Sequence, residues 1–312
     1  MTVSLSLMCK FTPQAAKRLQ SNDSRFLIEA IRLKNGFAYY ESALRQGERI
    51  KGKKTTGTKG DLYTGLWMRA AYINHSCIPN CARSFIGDIT ILRAICDIPT
   101  GPEITHQYTA LEASYSARQE QFQRNWQFEC DCTLCAAEKK SPEAMHKQRK
   151  DLAYKVRDEV LKGSRNARVP DVALRSVERL VKQLEDLHEP EIYDTLPRLF
   201  LVHPTIWLTE AHRAKRNFAK TAKFAMELLR NFGFIEPIKY GKLSLDYTAG
   251  LVNSESFNAL QYAMDAYKWL GKLDLSKQSE TEARKFLGSL RGPVRGLRML
   301  RKGKSSRSEY LG

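Results

Sequence analysis

Three thiols within six residues, Cys130-Asp-Cys132-Thr-Leu-Cys135, constrain this chain more than any other feature. A structural thiolate site is tetrahedral and needs four ligands, so the spacing C-x-C-x-x-C asks for a fourth sulfur from elsewhere. Cys77, inside the run Asn-His-Ser-Cys-Ile-Pro-Asn-Cys at 74–81, is the natural candidate. A closed four-thiolate zinc site would staple 130–135 to the loop at 74–80, and metal binding of this kind is itself folding free energy. A lone cysteine is often only a small buried apolar side chain, but clustering at fixed spacing favours a metal. Disulfides fit less well, because Cys130 and Cys132 are too close in sequence to pair comfortably and no secretory signal opens the chain. Cys9, Cys81 and Cys96 have no such spacing and read as core or incidental residues.

Two further motifs stand in order with these. Gly101-Pro102-Glu103-Ile104-Thr105-His106-Gln107-Tyr108 follows the first run, and Trp126-Gln127-Phe128-Glu129 leads into the cysteines. Together they resemble the SET domain of protein lysine methyltransferases: the NHSCxPN signature, the GEEIxxxY signature and the cysteine-rich post-SET. Pro102 stands where the second signature usually has its first glutamate. Three motifs in the right order are far more specific than any one alone. The nearest resemblance is to fungal SET proteins with helical repeats, similar to the SET-plus-MYND methyltransferases, although the cysteine pattern of a MYND finger is not found here.

The resemblance implies roles for particular residues. Asn74 and His75 match the positions that touch S-adenosylmethionine, His75 through its backbone. Tyr108 matches the tyrosine beside the methyl-transfer channel, and Phe128 the aromatic that packs on the adenine. Cys77, Cys130, Cys132 and Cys135 match the zinc ligands, and His106 receives no role. The chemistry agrees. Methyl transfer from a sulfonium to an amine demands alignment and a neutral nucleophile. A lysine must lose its proton, which a desolvated channel favours. A tyrosine hydroxyl can orient an amine without carrying charge at neutral pH, and an aromatic wall beside a sulfonium adds about 0.5–2 kcal/mol of cation–π attraction.

SET domains open with strands carrying a Gly-x-Gly turn well upstream of the first signature, yet Lys51-Gly52-Lys53 and Thr56-Gly57-Thr58-Lys59-Gly60 lie in a polar, basic run that reads as a loop. Thr12-Pro13 through Tyr40 has a capping residue, a first-turn proline and an apolar face at Phe26, Leu27, Ala30 and Ile31, so it is expected to be helical. The chain is therefore expected to begin inside the domain, and strands left without their neighbours would expose edges for another chain to cover. Downstream, Cys81–Phe85 and Ile89–Arg93 around Gly87-Asp88 predict a hairpin, Ile95–Pro99 another short strand, and 111–127 a helix.

From Lys139 the pattern becomes helical. Leu174, Val177, Leu180, Leu184 and Leu187 form a stripe behind Pro170, Thr205–Arg216 and Ala219–Asn231 predict a helical hairpin ending at Gly233, and Ser254–Leu270 predicts another helix ending at Gly271. Such spacings fit either tetratricopeptide-type pairs or a plain helical bundle. The expected fold class is α+β: a partial SET β-fold with a zinc-binding post-SET, then an α-helical, tetratricopeptide-like domain. Its expected divisions are a helical insert and basic loop at 1–65, the second half of the SET domain with the post-SET at 66–136, a helical domain at 137–290 and a basic, disordered tail at 291–312.

The chain carries 51 Lys and Arg against 34 Asp and Glu, a net charge of +17. The tail holds seven basic residues and one acidic, which leaves the body at +11. A basic body is compatible with an acidic protein or chromatin partner. Only Tyr310 interleaves with the basic tail, so single-strand nucleic-acid binding gains little support. No window approaches the roughly 20 apolar residues of a membrane span, and seven cysteines without a signal peptide point to an intracellular, reducing compartment, nuclear or cytoplasmic. Two functions follow: an S-adenosylmethionine-dependent protein lysine N-methyltransferase acting on a histone or non-histone protein, or a catalytically silent SET-derived interaction module or fragment of a longer enzyme. Catalysis is expected if the opening SET strands are supplied.

Overall fold

A computed structural model describes residues 35–40, 62–86, 89–109, 111, 113–164 and 169–291. Most of the expected N-terminal helix, the glycine-bearing loop, Cys9 and the tail beyond 291 lie outside them. The chain's first described strand corrects one expectation: Phe37–Tyr40 is not helical but forms β1, antiparallel to β2 (Leu62–Gly65) with Phe37 opposite Gly65. Gly36 precedes a run of three aromatics in four residues, a composition that suits a pleated strand better than a helix.

The signature region is built from short strands. β3 (Asn74–His75) runs parallel to β6 (Thr105–His106), with Asn74 opposite Thr105 and His75 opposite His106. β4 (Cys81–Ile86) and β5 (Ile89–Ala94) form the expected hairpin, Cys81 opposite Ala94. Ile95–Pro99 is not a strand but an irregular return. Its start is tied by the Ile95 N–H to the Asn80 carbonyl at 2.9 Å, and Ile95 is buried against the helical region instead of extending a sheet.

Helices take over from residue 115. α1 (Tyr115–Trp126) starts at Ser114, whose hydroxyl accepts from the Ala117 N–H. It ends at Gln127 in the left-handed region, φ 62°, whose N–H bonds back to the Phe122 and Gln123 carbonyls. That turn sends the chain back on itself and stacks Phe128 on Phe122 at 5.3 Å between ring centres. α2 (Thr133–Glu138) follows, then α3 (Glu143–Ser164), α4 (Asp171–Asp186), α5 (Pro190–Tyr193), α6 (Leu199–Ala214) and α7 (Phe218–Asn231). A small hairpin, β7 (Ile238–Lys239) with β8 (Lys242–Leu243), precedes α8 (Ser254–Trp269) and α9 (Leu273–Arg291).

The periodic stripe expected behind Pro170 is α4, with Leu174, Val177 and Leu184 buried. α6 begins six residues earlier than the pattern suggests, because Pro204 lies inside it. A proline early in a helix removes a single intrahelical bond, and burial of Leu199, Leu201 and Val202 offsets the loss. Gly233 closes α7 at φ +91°, where a Cβ would also meet the Ala249 carbonyl oxygen at 3.2 Å. Neither α3 nor α9 was singled out from its apolar spacing, since both expose charge along most of their length.

The signature region and the helices share cores. Ile95 packs with α7, α8 and α9, and α9 lies against β4 and β5. A second cluster joins Cys77, Phe122, Leu134 and Cys135 to Tyr193 and Leu199, and a third fills the space between α3, α4 and α6. Among the described residues no helix is long and apolar enough to cross a membrane.

His188, after α4, makes this helical packing sensitive to pH. Burial is the main force pushing its imidazole down to about 3, with Arg149 and Arg198 adding repulsion against the bond to the Leu184 carbonyl. The folded state refuses a proton that the unfolded chain accepts below its ordinary value near 6.5, so stability falls as pH drops through that window towards 3. Between pH 7 and pH 5 this group alone is expected to remove about 2 kcal/mol. Urea unfolding at the two pH values should show a smaller loss for His188→Gln than for the unaltered chain, and equal losses would remove His188 as the cause.

Candidate active site and metal centre

The four sulfurs foreseen from spacing come together. The Sγ atoms of Cys77, Cys130, Cys132 and Cys135 all lie within 4.8 Å of one another, Cys77 at 3.6 Å from Cys135 and 4.0 Å from Cys130. Four sulfurs at about 2.3 Å from a zinc ion stand about 3.8 Å apart at the corners of a tetrahedron. These separations fit that figure and are far beyond a disulfide bond, and the six described cysteines are all free thiols. The crowding also sets thiol against thiol: hydrogen bonding with Cys130 pushes the Cys77 thiol up, while Cys132 holds Cys130 far below the ordinary range. A divalent cation relieves that competition by allowing all four to ionise.

Local structure explains how the sulfurs are aimed. Cys77 lies on the turn after β3, where the Ser76 hydroxyl bonds the Ile78 backbone and the Gln107 amide donates to the Cys77 carbonyl at 3.1 Å. Cys130 is clamped from α1: the Gln119 side chain donates to its carbonyl and accepts from its N–H, both at 2.9 Å. Cys132 precedes α2 and Cys135 lies within its first turn, so one short helix presents both.

His75 connects the cluster to Tyr108. The Tyr108 N–H donates to His75 Nδ1 at 3.1 Å, which leaves the ring proton on Nε2, 3.5 Å from Cys77 Sγ. Both ring nitrogens thus face protein groups, the Tyr108 N–H and Cys77 Sγ. Tyr108 donates its hydroxyl to the Ile73 carbonyl at 3.0 Å. Burial, aided by Glu103, pushes its phenol up to about 12, so it stays a neutral hydroxyl at physiological pH.

Around them the rings of His75, Phe122, Trp126 and Phe128 make a nearly continuous wall. Tyr108 lies 5.3 Å from Trp126 and 6.3 Å edge-on from Phe128, and His75 is 6.1 Å from Phe128. Asn74 sits at the exposed rim, its amide donating to Glu103 Oε1 at 2.6 Å. Ile73 also forms part of an open cleft of about 390 Å³ with Trp67, Met68, Arg69, Thr90 and Leu92. Every residue singled out from the sequence therefore falls in one neighbourhood.

Other residues shape this neighbourhood without having been singled out. Asn80, inside the first signature, donates to the Glu103 carbonyl and accepts from the Thr105 N–H, pinning β6 beside β3. His106 is 99% buried; its backbone carbonyl takes the Ser76 N–H, and desolvation lowers its imidazole to about 4. Arg118, fully buried, points a guanidinium N–H at Cys135 Sγ from 3.9 Å and pairs with Glu138. The available signal was its phase: Arg118 lies on the same stripe of α1 as Tyr115 and Phe122, where an apolar residue is the rule.

Comparison with known proteins finds similarity over part of the chain. The SET domain family model matches residues 7–109. A Gibberella zeae protein named methyltransferase is 38% identical over 133 residues, covering 41% of this chain and 18% of that protein. Human histone-lysine N-methyltransferase SMYD3 is 36% identical over 81 residues, 26% of this chain and 19% of that enzyme. Arabidopsis thaliana histone-lysine N-methyltransferase ASHR2 is 32% identical over 81 residues, 24% of this chain and 20% of that enzyme. The chain spans about a fifth of the length of these relatives.

Proposed function

We propose that this chain, whose SET domain is related to those of SMYD-type and fungal methyltransferases, takes part in S-adenosylmethionine-dependent methylation of a lysine on a protein substrate. The observation that carries the reading is the hydrogen-bonded line from Cys77 through the His75 imidazole to the Tyr108 backbone N–H, which ties the thiol cluster to the residue that bears the neutral phenol. Zinc at the four cysteines fixes the turn after β3 and the segment 128–135 relative to each other, as a post-SET does. Phe128, positioned by the left-handed turn at Gln127, is the wall for the adenine, and the His75 backbone with Asn74 receives the rest of the cofactor. The methyl donor supplies an electrophilic sulfonium carbon. The chain's own part is alignment: Tyr108 holds its hydroxyl at the Ile73 carbonyl, where it can orient an incoming neutral amine.

The helical region, of tetratricopeptide-like character in this reading, bounds the site from one side, and its partner is an acidic or chromatin-associated protein drawn by the basic body. A reducing, intracellular setting, nuclear or cytoplasmic, belongs to the same reading. Calorimetric titration of the zinc-loaded chain with S-adenosylmethionine tests the core of the proposal. Saturation near one site per chain is the expected result, and no heat from a folded, zinc-loaded sample would overturn a cofactor role for this chain by itself.

A further inference from the structure

The thiol cluster continues into the helical region through a line of buried charges. Arg118 on α1 gives one guanidinium N–H to the Ala113 carbonyl at 3.0 Å, aims another at Cys135 Sγ and pairs with Glu138 on α2. Glu138 also accepts the Tyr193 hydroxyl at 2.9 Å from α5. That hydroxyl in turn accepts from Arg149 Nη1 on α3 at 3.2 Å. Arg149 is held by the Leu187 carbonyl at 2.9 Å and by an ion pair with Glu189. Arg118, Glu138, Arg149 and Tyr193 are all buried. Such groups are tolerated inside a protein only when each is answered by its neighbour.

We infer that Arg118, oriented through Glu138, Tyr193 and Arg149, is a positioning residue for the metal centre, so that docking of α3 and α5 sets how tightly the zinc is held. The inference rests on the four thiols holding zinc. A zinc tetrathiolate carries two net negative charges, and a buried cation beside one sulfur offsets part of them. Glu138 alone would repel the cluster; its carboxylate is acceptable there because Arg118 stands on one side and the Tyr193 hydroxyl, backed by Arg149, on the other. His75 gives Cys77 a similar N–H, but it belongs to the signature region, whereas the Arg118 line is supplied by four different helices. Metal retention thereby depends on the helical region, which shares no sequence motif with the cysteines.

The experiment uses the full zinc-loaded chain and follows zinc release to 4-(2-pyridylazo)resorcinol. Tyr193→Phe keeps the ring, which sits edge-on to His188 at 4.8 Å, and removes only the linking hydroxyl. Release is expected to quicken at least ~10-fold, and by ~10–100-fold for Arg118→Met, with Arg118→Lys partly restoring retention. With cobalt in place of zinc, the sulfur-to-metal charge-transfer band should shift in Arg118→Met, a change that loss of packing elsewhere does not produce. Phe286→Leu, in the separate core of α9, serves as the control that lowers thermal stability without quickening release. Wild-type release rates in Tyr193→Phe and Arg118→Met, or equal quickening in Phe286→Leu, would overturn the positioning role while leaving the zinc site intact. A wild-type chain that binds no zinc would overturn the metal reading first and this inference with it.

Discussion

Under the proposed function, Tyr108→Phe is expected to lower transfer of tritiated methyl from S-adenosylmethionine to a protein lysine by about 100-fold while bound zinc stays unchanged. The two outcomes separate because Tyr108 touches the cluster only through its backbone: its N–H bonds His75, whereas its hydroxyl bonds the Ile73 carbonyl. Phenylalanine keeps the first bond and the packing against Trp126 and Phe128. It loses a neutral hydroxyl at a place where misplacing a reacting amine by about 1 Å costs on the order of 100-fold. Stability should fall by only about 1 kcal/mol, the net worth of one hydrogen bond. Undiminished transfer by the variant would remove Tyr108 from the reaction.

Cys77→Ser has the largest expected structural effect. Cys77 is fully buried and is the only one of the four thiols on the β3 side of the chain; Cys130, Cys132 and Cys135 all follow α1. Serine offers zinc a poorly ionised hydroxyl and cuts the link between the two segments. Bound zinc, measured by atomic absorption, is expected to fall from near one per chain to a small fraction. Free energy on the order of 10 kcal/mol attends a structural zinc at neutral pH, so the melting temperature should drop by on the order of 10 °C or more. Phe128 would lose its fixed stacking on Phe122, and cofactor binding should weaken in parallel. Full zinc content in the variant would show that the remaining three cysteines recruit a different fourth ligand, for which His75 Nε2, 3.5 Å from Cys77 Sγ, is placed.

The candidate site was legible because its chemistry is concentrated in residue types with few other uses. Three cysteines at tight spacing and an Asn-His-Ser-Cys run state their demand for a partner locally, and the hairpin at 81–94 and the helix behind Pro170 follow from alternation and from 3.6-residue periodicity. Errors occurred where a competing local preference won. Phe37–Tyr40 pairs as a strand although a helical pattern runs up to it, Ile95–Pro99 turns away into another core, and α6 passes through Pro204.

Residue type and spacing alone called for a fourth sulfur beside the three at 130–135, a chemical demand that does not depend on the rest of the chain, while Tyr108 and Phe128 were placed beside it by the resemblance to SET domains. The companions of the cluster were decided only by tertiary packing. Arg118, Glu138, Tyr193 and Arg149 come from four helices spread over more than seventy residues. A buried charge is tolerable only beside its counter-charge, and which helix faces bring such pairs together depends on how the helices dock, a property that no local pattern encodes.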